Sequence, residues 1–74
     1  SIRHCGMSYD THDLFIVQHE NAIMVKWGCY WATLGDAKAK YENDTREIGD
    51  ERRAMINHAD TMSKFLKGWN NVRN

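Results

Sequence analysis

Five side chains of metal-ligand or nucleophile type, His4, Cys5, His12, His19 and Cys29, fall within the first 29 residues of this 74-residue chain. Zinc sites are usually built from paired ligands roughly two to five residues apart, because a tight turn then delivers both to one ion. None of the five forms such a pair, and adjacent His4 and Cys5 would point to opposite faces of a strand. Neither a metal nor another cofactor is therefore expected. A thiol nucleophile needs a neighbouring base or a lowered pKa. Cys29 stands between Trp27 and Trp31 in an apolar alternation and is expected to be core filler. Glu47, Asp50 and Glu51 interleave with Arg46, Arg52 and Arg53, the pattern of paired surface charges rather than of carboxylates in a cleft. With no catalytic residues recognisable, the chain is not expected to be an enzyme.

The elements that carry these residues are read from hydrophobic spacing. Ile2 to Tyr9 is a candidate strand with Cys5, Met7 and Tyr9 on one face, weakened by Gly6, a residue that often marks a bulge. Leu14 to Gln18 is a β-branched and aromatic run bounded by polar clusters, and reads as a strand. Ile23 to Thr33 alternates along its length, with Ile23, Val25, Trp27, Cys29 and Trp31 on one face. A two-residue turn at Glu20 and Asn21, with positive φ on Asn21, would pair His19 with Ala22, Ile16 with Val25 and Leu14 with Trp27.

Thr33 and Asp36 make a helix start, and the helix begins at Leu34. Leu34, Tyr41, Ile48, Met55, Met62 and Trp69 then recur at a strict spacing of seven, and Arg52, Ala59 and Leu66 form a second row. Asn43, Asp44 and Thr45 interrupt the run, with Asp44 and Glu47 as a second cap pair, so a second helix would span about Arg46 to Trp69 with Gly49 its weak point. One unbroken helix from Leu34 to Trp69 would measure about 54 Å. A compact chain of this size has a diameter of roughly 28 Å. Either the helix breaks, or a second copy buries the seam; the unbroken spacing favours a homodimer with Ile48 and Met55 at its interface. The fold class expected is small α+β, a single domain of residues 1–74: an antiparallel hairpin, with a third strand from Ile2 to Tyr9 as an option, followed by one long helix or two shorter ones packed on the Trp27 and Trp31 face.

Ten basic and ten acidic residues cancel, which removes the usual electrostatic case for a nucleic-acid or membrane-surface binder. The remaining basic strip, Arg46, Arg53, Lys64 and Lys67, is diluted by Glu47, Asp50, Glu51 and Asp60. No run approaches the roughly 20 apolar residues of a membrane span, and two cysteines are too few for a disulfide scaffold, so a cytoplasmic setting is expected.

What remains is a second apolar face on the hairpin, formed by Phe15, Val17, Met24 and Tyr30. A sheet apolar on both sides must be covered on both, and the helices can cover only one. A protein partner is therefore expected on these four residues, and the chain reads as a non-enzymatic protein-binding module, an inhibitor or adaptor. The order strand, strand, then a Thr-Leu-x-x-Ala-Lys helix start is similar to that of many small accessory proteins of phages and other mobile elements. That similarity implies a viral or mobile-element context and carries no residue across. The alternative is a nucleic-acid-associated regulator using the basic strip; salt separates the two, because phosphate contacts weaken steeply as salt rises.

Overall fold

In the computed structural model, which describes residues 1–65, four strands and two helices follow one another along the chain. The strands are β1 (Ile2–Met7), β2 (Asp13–His19), β3 (Ala22–Trp27) and β4 (Tyr30–Thr33); the helices are α1 (Leu34–Glu42) and α2 (Gly49–Phe65). The sheet is an antiparallel meander in the order β1-β2-β3-β4, and both helices pack on one of its faces. This is the α+β architecture expected, with the helical run broken in two.

The β2–β3 hairpin has the expected register: Leu14 opposes Trp27, Ile16 opposes Val25 and His19 opposes Ala22. The positive φ of its turn falls on Glu20, at 55°, rather than on Asn21. β1 pairs with β2 through Ile2–Val17 and His4–Phe15, then slips before Met7. That irregularity at Gly6 separates Cys5, which is buried, from Met7, which lies opposite Asp13 on the other face and is exposed. Tyr9 lies beyond the strand and is exposed too, so the three residues do not share a face.

The largest departure lies in the Ile23–Thr33 run. Gly28 and Cys29 turn the chain back, with Gly28 at φ 59° and Trp27 paired with Tyr30. A side chain at Gly28 would be strained by that φ, and its Cβ would lie 3.2 Å from the His12 ring, so glycine suits the turn on both counts. Turning back after Trp27 reverses the phase of everything downstream, because side chains alternate with a period of two. Tyr30 therefore faces the helices, edge-on to Tyr41 with ring centroids 5.9 Å apart. Trp31 lies beside Lys26 on the opposite face, 49% exposed, and Cys29 is exposed at the turn. The expectations of Trp31 and Cys29 in the core, and of Tyr30 on the outer face, are corrected by this one turn.

The helix start is as expected: Thr33 caps α1, its hydroxyl accepting from the Asp36 amide at 3.1 Å. Asp44 does not cap α2. Its carboxylate accepts from the Arg46 amide at 2.9 Å, folding the link back on itself. Arg53, one turn into α2, donates to the Asp44 carbonyl at 2.6 Å and the Tyr41 carbonyl at 3.2 Å. A cation thus sits on the carbonyls where α1 ends, that of Tyr41 already accepting from the Asn43 and Asp44 amides. The buried stripe of α2 is Gly49, Arg52, Ile56, Ala59 and Ser63, at alternating spacings of three and four. The row through Arg52 and Ala59 is therefore the one that faces the sheet. In the row of sevens, Leu34 and Tyr41 are buried and Met55 packs against the core, while Ile48 sits exposed in the link. Trp69 and Leu66 lie outside the described residues.

Candidate interaction face

The helices cover the side of the sheet that carries Leu14, Ile16, Ile23, Val25 and Trp27. On the opposite side, cross-strand partners form rows, since residues directly opposite one another share a face. One row reads His4, Phe15, Lys26, Trp31, and the next Ile2, Val17, Met24, Thr33. The His4 ring leans on Phe15 with centroids 5.1 Å apart, and His19 meets Trp31 edge-on at 6.1 Å. Ile2 is 70% exposed and Met7 59%; with Trp31 they gather large apolar side chains on one surface, while Phe15, Val17 and Met24 are half-buried between them.

The polar groups on this face are already engaged within the chain. His4 Nε2 lies 2.8 Å from Asp13 Oδ1, and the Thr33 hydroxyl caps α1. Lys26 folds its ammonium onto the Gly28 carbonyl, 2.6 Å away. Its methylene stem stays on the sheet while its charge sits toward the β3–β4 turn.

The loop between β1 and β2 brings Ser8, Asp10 and His12 together, the residue types of a hydrolase triad, but not its geometry. The Ser8 hydroxyl donates to Asp10 rather than to an imidazole, and Ser8 is 2% exposed. His12 Nδ1 lies 3.3 Å from Asp10 Oδ2. The same carboxylate receives Arg52 Nη2 at 2.7 Å. The Ser8 hydrogen bond, with Arg52 and His12 nearby, lowers the Asp10 pKa below the usual carboxylate range. Arg52 also lies 4.5 Å from the Trp27 ring, while Trp27 Nε1 donates to the His12 carbonyl at 3.1 Å. Glu51 accepts from the Tyr9 amide at 3.0 Å. The arrangement ties the loop to α2 and β3 and keeps the Ser8 hydroxyl buried. Sequence spacing missed it because Asp10 and Arg52 are 42 positions apart.

Elsewhere, Cys5 is held by burial with its thiol pKa raised, and burial raises the Tyr30 and Tyr41 phenols as well. No cluster of three or more His, Cys, Asp or Glu side chains among the described residues could hold a metal ion. A groove of about 280 Å³ between the helices is lined in part by Lys38, Tyr41, Arg53 and Ile56. Its cations are taken, Lys38 by Asp60 at 3.1 Å and Arg53 by Asp50 and the two carbonyls.

Of the residues expected to meet a partner, Phe15, Val17 and Met24 come together, and Trp31 stands where Tyr30 was expected. Ile48 and Met55, the expected dimer contacts, differ in exposure: Met55 packs against the core over Gly6, while Ile48 stands exposed just before α2. In the basic strip, Arg46 pairs with Asp44 at 2.6 Å, Arg53 with Asp50, and Lys64 with Asp60 at 3.6 Å. Lys67 lies outside the described residues. No family model, curated protein or solved structure matches the chain. No helix among the described residues is long and apolar enough to cross a membrane.

Proposed function

We infer that this chain is a non-enzymatic protein-binding module, an adaptor or inhibitor, that engages its partner through the uncovered face of the sheet. The observation that carries this reading is the gathering of Ile2, Met7 and Trp31 around half-buried Phe15, Val17 and Met24. Large contiguous apolar patches are uncommon on monomeric proteins and mark interaction sites. The setting we propose is the cytoplasm, where free thiols such as Cys5 and Cys29 persist in reduced form.

The test is capture from a lysate of the source cell with the tagged full chain and with its Trp31→Glu variant. A partner retained by the first at high salt and lost by the second supports the reading, since an apolar contact is little screened by ions. Equal capture by both refutes it. Binding of single-stranded DNA or RNA that collapses as salt rises would instead support the basic strip.

A further inference from the structure

The chemistry of the uncovered face restricts what can cover it. An acidic partner or a nucleic acid needs unengaged cations, and the lysine on this face has turned its ammonium to Gly28. His4 is held by Asp13. Both ties lie toward one end of the sheet, where Asp13 begins β2 and Gly28 follows β3. Ile2, Val17 and Met24 occupy the next row as an apolar band. An apolar surface of similar size and matching twist is what this face accepts.

We propose that this surface is a second copy of the same chain, the two sheets packing face to face about a twofold axis with the helices outside. The proposal rests on the reading of this face as the interaction surface and names its partner. Three observations favour a second copy. Four strands about 4.8 Å apart and about six residues long make a face of roughly 19 by 20 Å. Two such faces opposed cover roughly 760 Å² in projection, the size of a weak, reversible interface rather than of a permanent one. The chain carries ten positive and ten negative side chains, so two copies approach without net repulsion. A twisted antiparallel sheet with one apolar face is also the half-unit of an aligned sandwich, in which two sheets pack about 10 Å apart at about 30°. Twofold symmetry is the commonest way for one patch to satisfy itself.

Such a dimer differs from one built on the helical row of sevens, because α2 directs its buried stripe into its own sheet. The interface residues are Ile2, Phe15, Val17, Met24 and Trp31, with His4 and Lys26 in the row between them, and Ile48 is outside it.

The experiment is sedimentation equilibrium of the full chain from about 1 to roughly 200 µM, a range that brackets a micromolar Kd. The variants are Trp31→Glu and, as an independent probe at a strand edge, Ile2→Glu, with far-UV circular dichroism confirming that each is folded. Ile48→Ser and Phe65→Ser serve as controls on the helical side. Wild type should dimerise, and each glutamate should weaken the dimer about tenfold or more, the equivalent of one buried, unpaired charge. The controls should leave the dimer unchanged. A dimer indifferent to both glutamates, or broken by Ile48→Ser, overturns the proposal and moves the contact elsewhere. A wild type that stays monomeric throughout also overturns it. If such a monomer still captures a partner in a Trp31-dependent way, the interaction face stands and only the identity of its partner falls. If its capture is indifferent to Trp31→Glu, both fall.

Discussion

Trp27 and Trp31 are four residues apart and chemically alike, yet the turn at Gly28 and Cys29 puts them on opposite sides of the sheet. Their alanine substitutions should therefore differ sharply. Trp27 is 4% exposed; a buried indole removes about 200 Å² from water, worth about 5 kcal/mol at 25 cal/mol per Å² as an upper estimate. Large-to-small core changes at tryptophan cost about 3–5 kcal/mol. Trp27→Ala also removes the donor to the His12 carbonyl and the ring beneath Arg52. Trp31 is 49% exposed, so its burial is about half as large and its removal opens no cavity; about 1–2 kcal/mol is expected. A chain of this length has a total stability of about 4–11 kcal/mol, so Trp27→Ala approaches or exceeds the limit of folding while Trp31→Ala stays folded. Urea denaturation followed by circular dichroism measures both, with a slope near about 1 kcal/mol per molar. The chain must be at sub-micromolar concentration, so that any linkage to dimerisation drops out. Equal losses at the two positions, or a larger one at Trp31, would refute the turn and restore a continuous strand through Thr33.

Other consequences are equally direct. A Cβ at Gly49 would clash with the Asp44 carbonyl oxygen, so Gly49→Ala should destabilise by about 1–3 kcal/mol in the same urea assay, despite alanine's better helix propensity. Hydrogen bonds from the Arg46 side chain, and then from its amide, bring the Asp44 pKa down from 3.8 to about 2. A folded-state value below the unfolded one stabilises above pH about 4 and is lost as pH falls through about 2; Asp44→Asn should flatten that acid limb, and an NMR titration should place the carboxyl midpoint near 2. Cys29 is exposed, whereas Cys5 is buried with its thiol pKa raised. A thiol reagent at neutral pH should label one site quickly, and the second only as fast as the chain opens.

Much of the architecture is legible in local pattern. The Leu14 and Ile23 runs, their register through a two-residue turn, and the Thr33 cap each depend on neighbours a few positions away, where propensity and alternation act. Gly28 shows where such reading fails. Trp27, Cys29 and Trp31 keep a period of two that suits a straight strand as well as it suits a turn with a flipped return. What decides between them is the left-handed φ of Gly28 and the His12 ring packed against it, a contact across 16 positions. The row of sevens misleads for a related reason. Leu34 and Tyr41 belong to one helix and Met55 to another, so the spacing is kept across a link that has no helical phase to keep. That Phe15, Val17 and Met24 share the uncovered face is readable because those residues precede the turn. The exposed aromatic on that face is Trp31 rather than Tyr30 because both follow the turn, which exchanges their sides.

Arg52 joins the two sides of the sheet into one problem. It occupies a buried position in the α2 stripe, where an apolar side chain would pack without any need for a counter-charge. Its partner Asp10 is 44% exposed, so removing the arginine leaves a hydrated carboxylate rather than a buried, unpaired charge, and the pair is weak grounds for added stability and better grounds for specificity. Here the specificity is positional. Asp10 reaches Arg52 from the β1–β2 loop, Glu51 holds the Tyr9 amide from the same turn of α2, and Trp27 carries the guanidinium from β3. Sliding α2 along the sheet by one turn would separate all three at once. Arg52→Met should therefore leave the urea midpoint close to wild type while the amides of Tyr9 and Thr11 exchange with solvent markedly faster, as read by hydrogen-exchange NMR. Unchanged exchange would show that the loop is held without the arginine. Faster exchange confined to the loop, with β2 and β3 still protected, would show that Arg52 orders the β1–β2 connection and that core packing alone keeps the sheet rigid. That rigidity matters on the other side, because a preorganised apolar surface binds a partner without losing conformational freedom in the act.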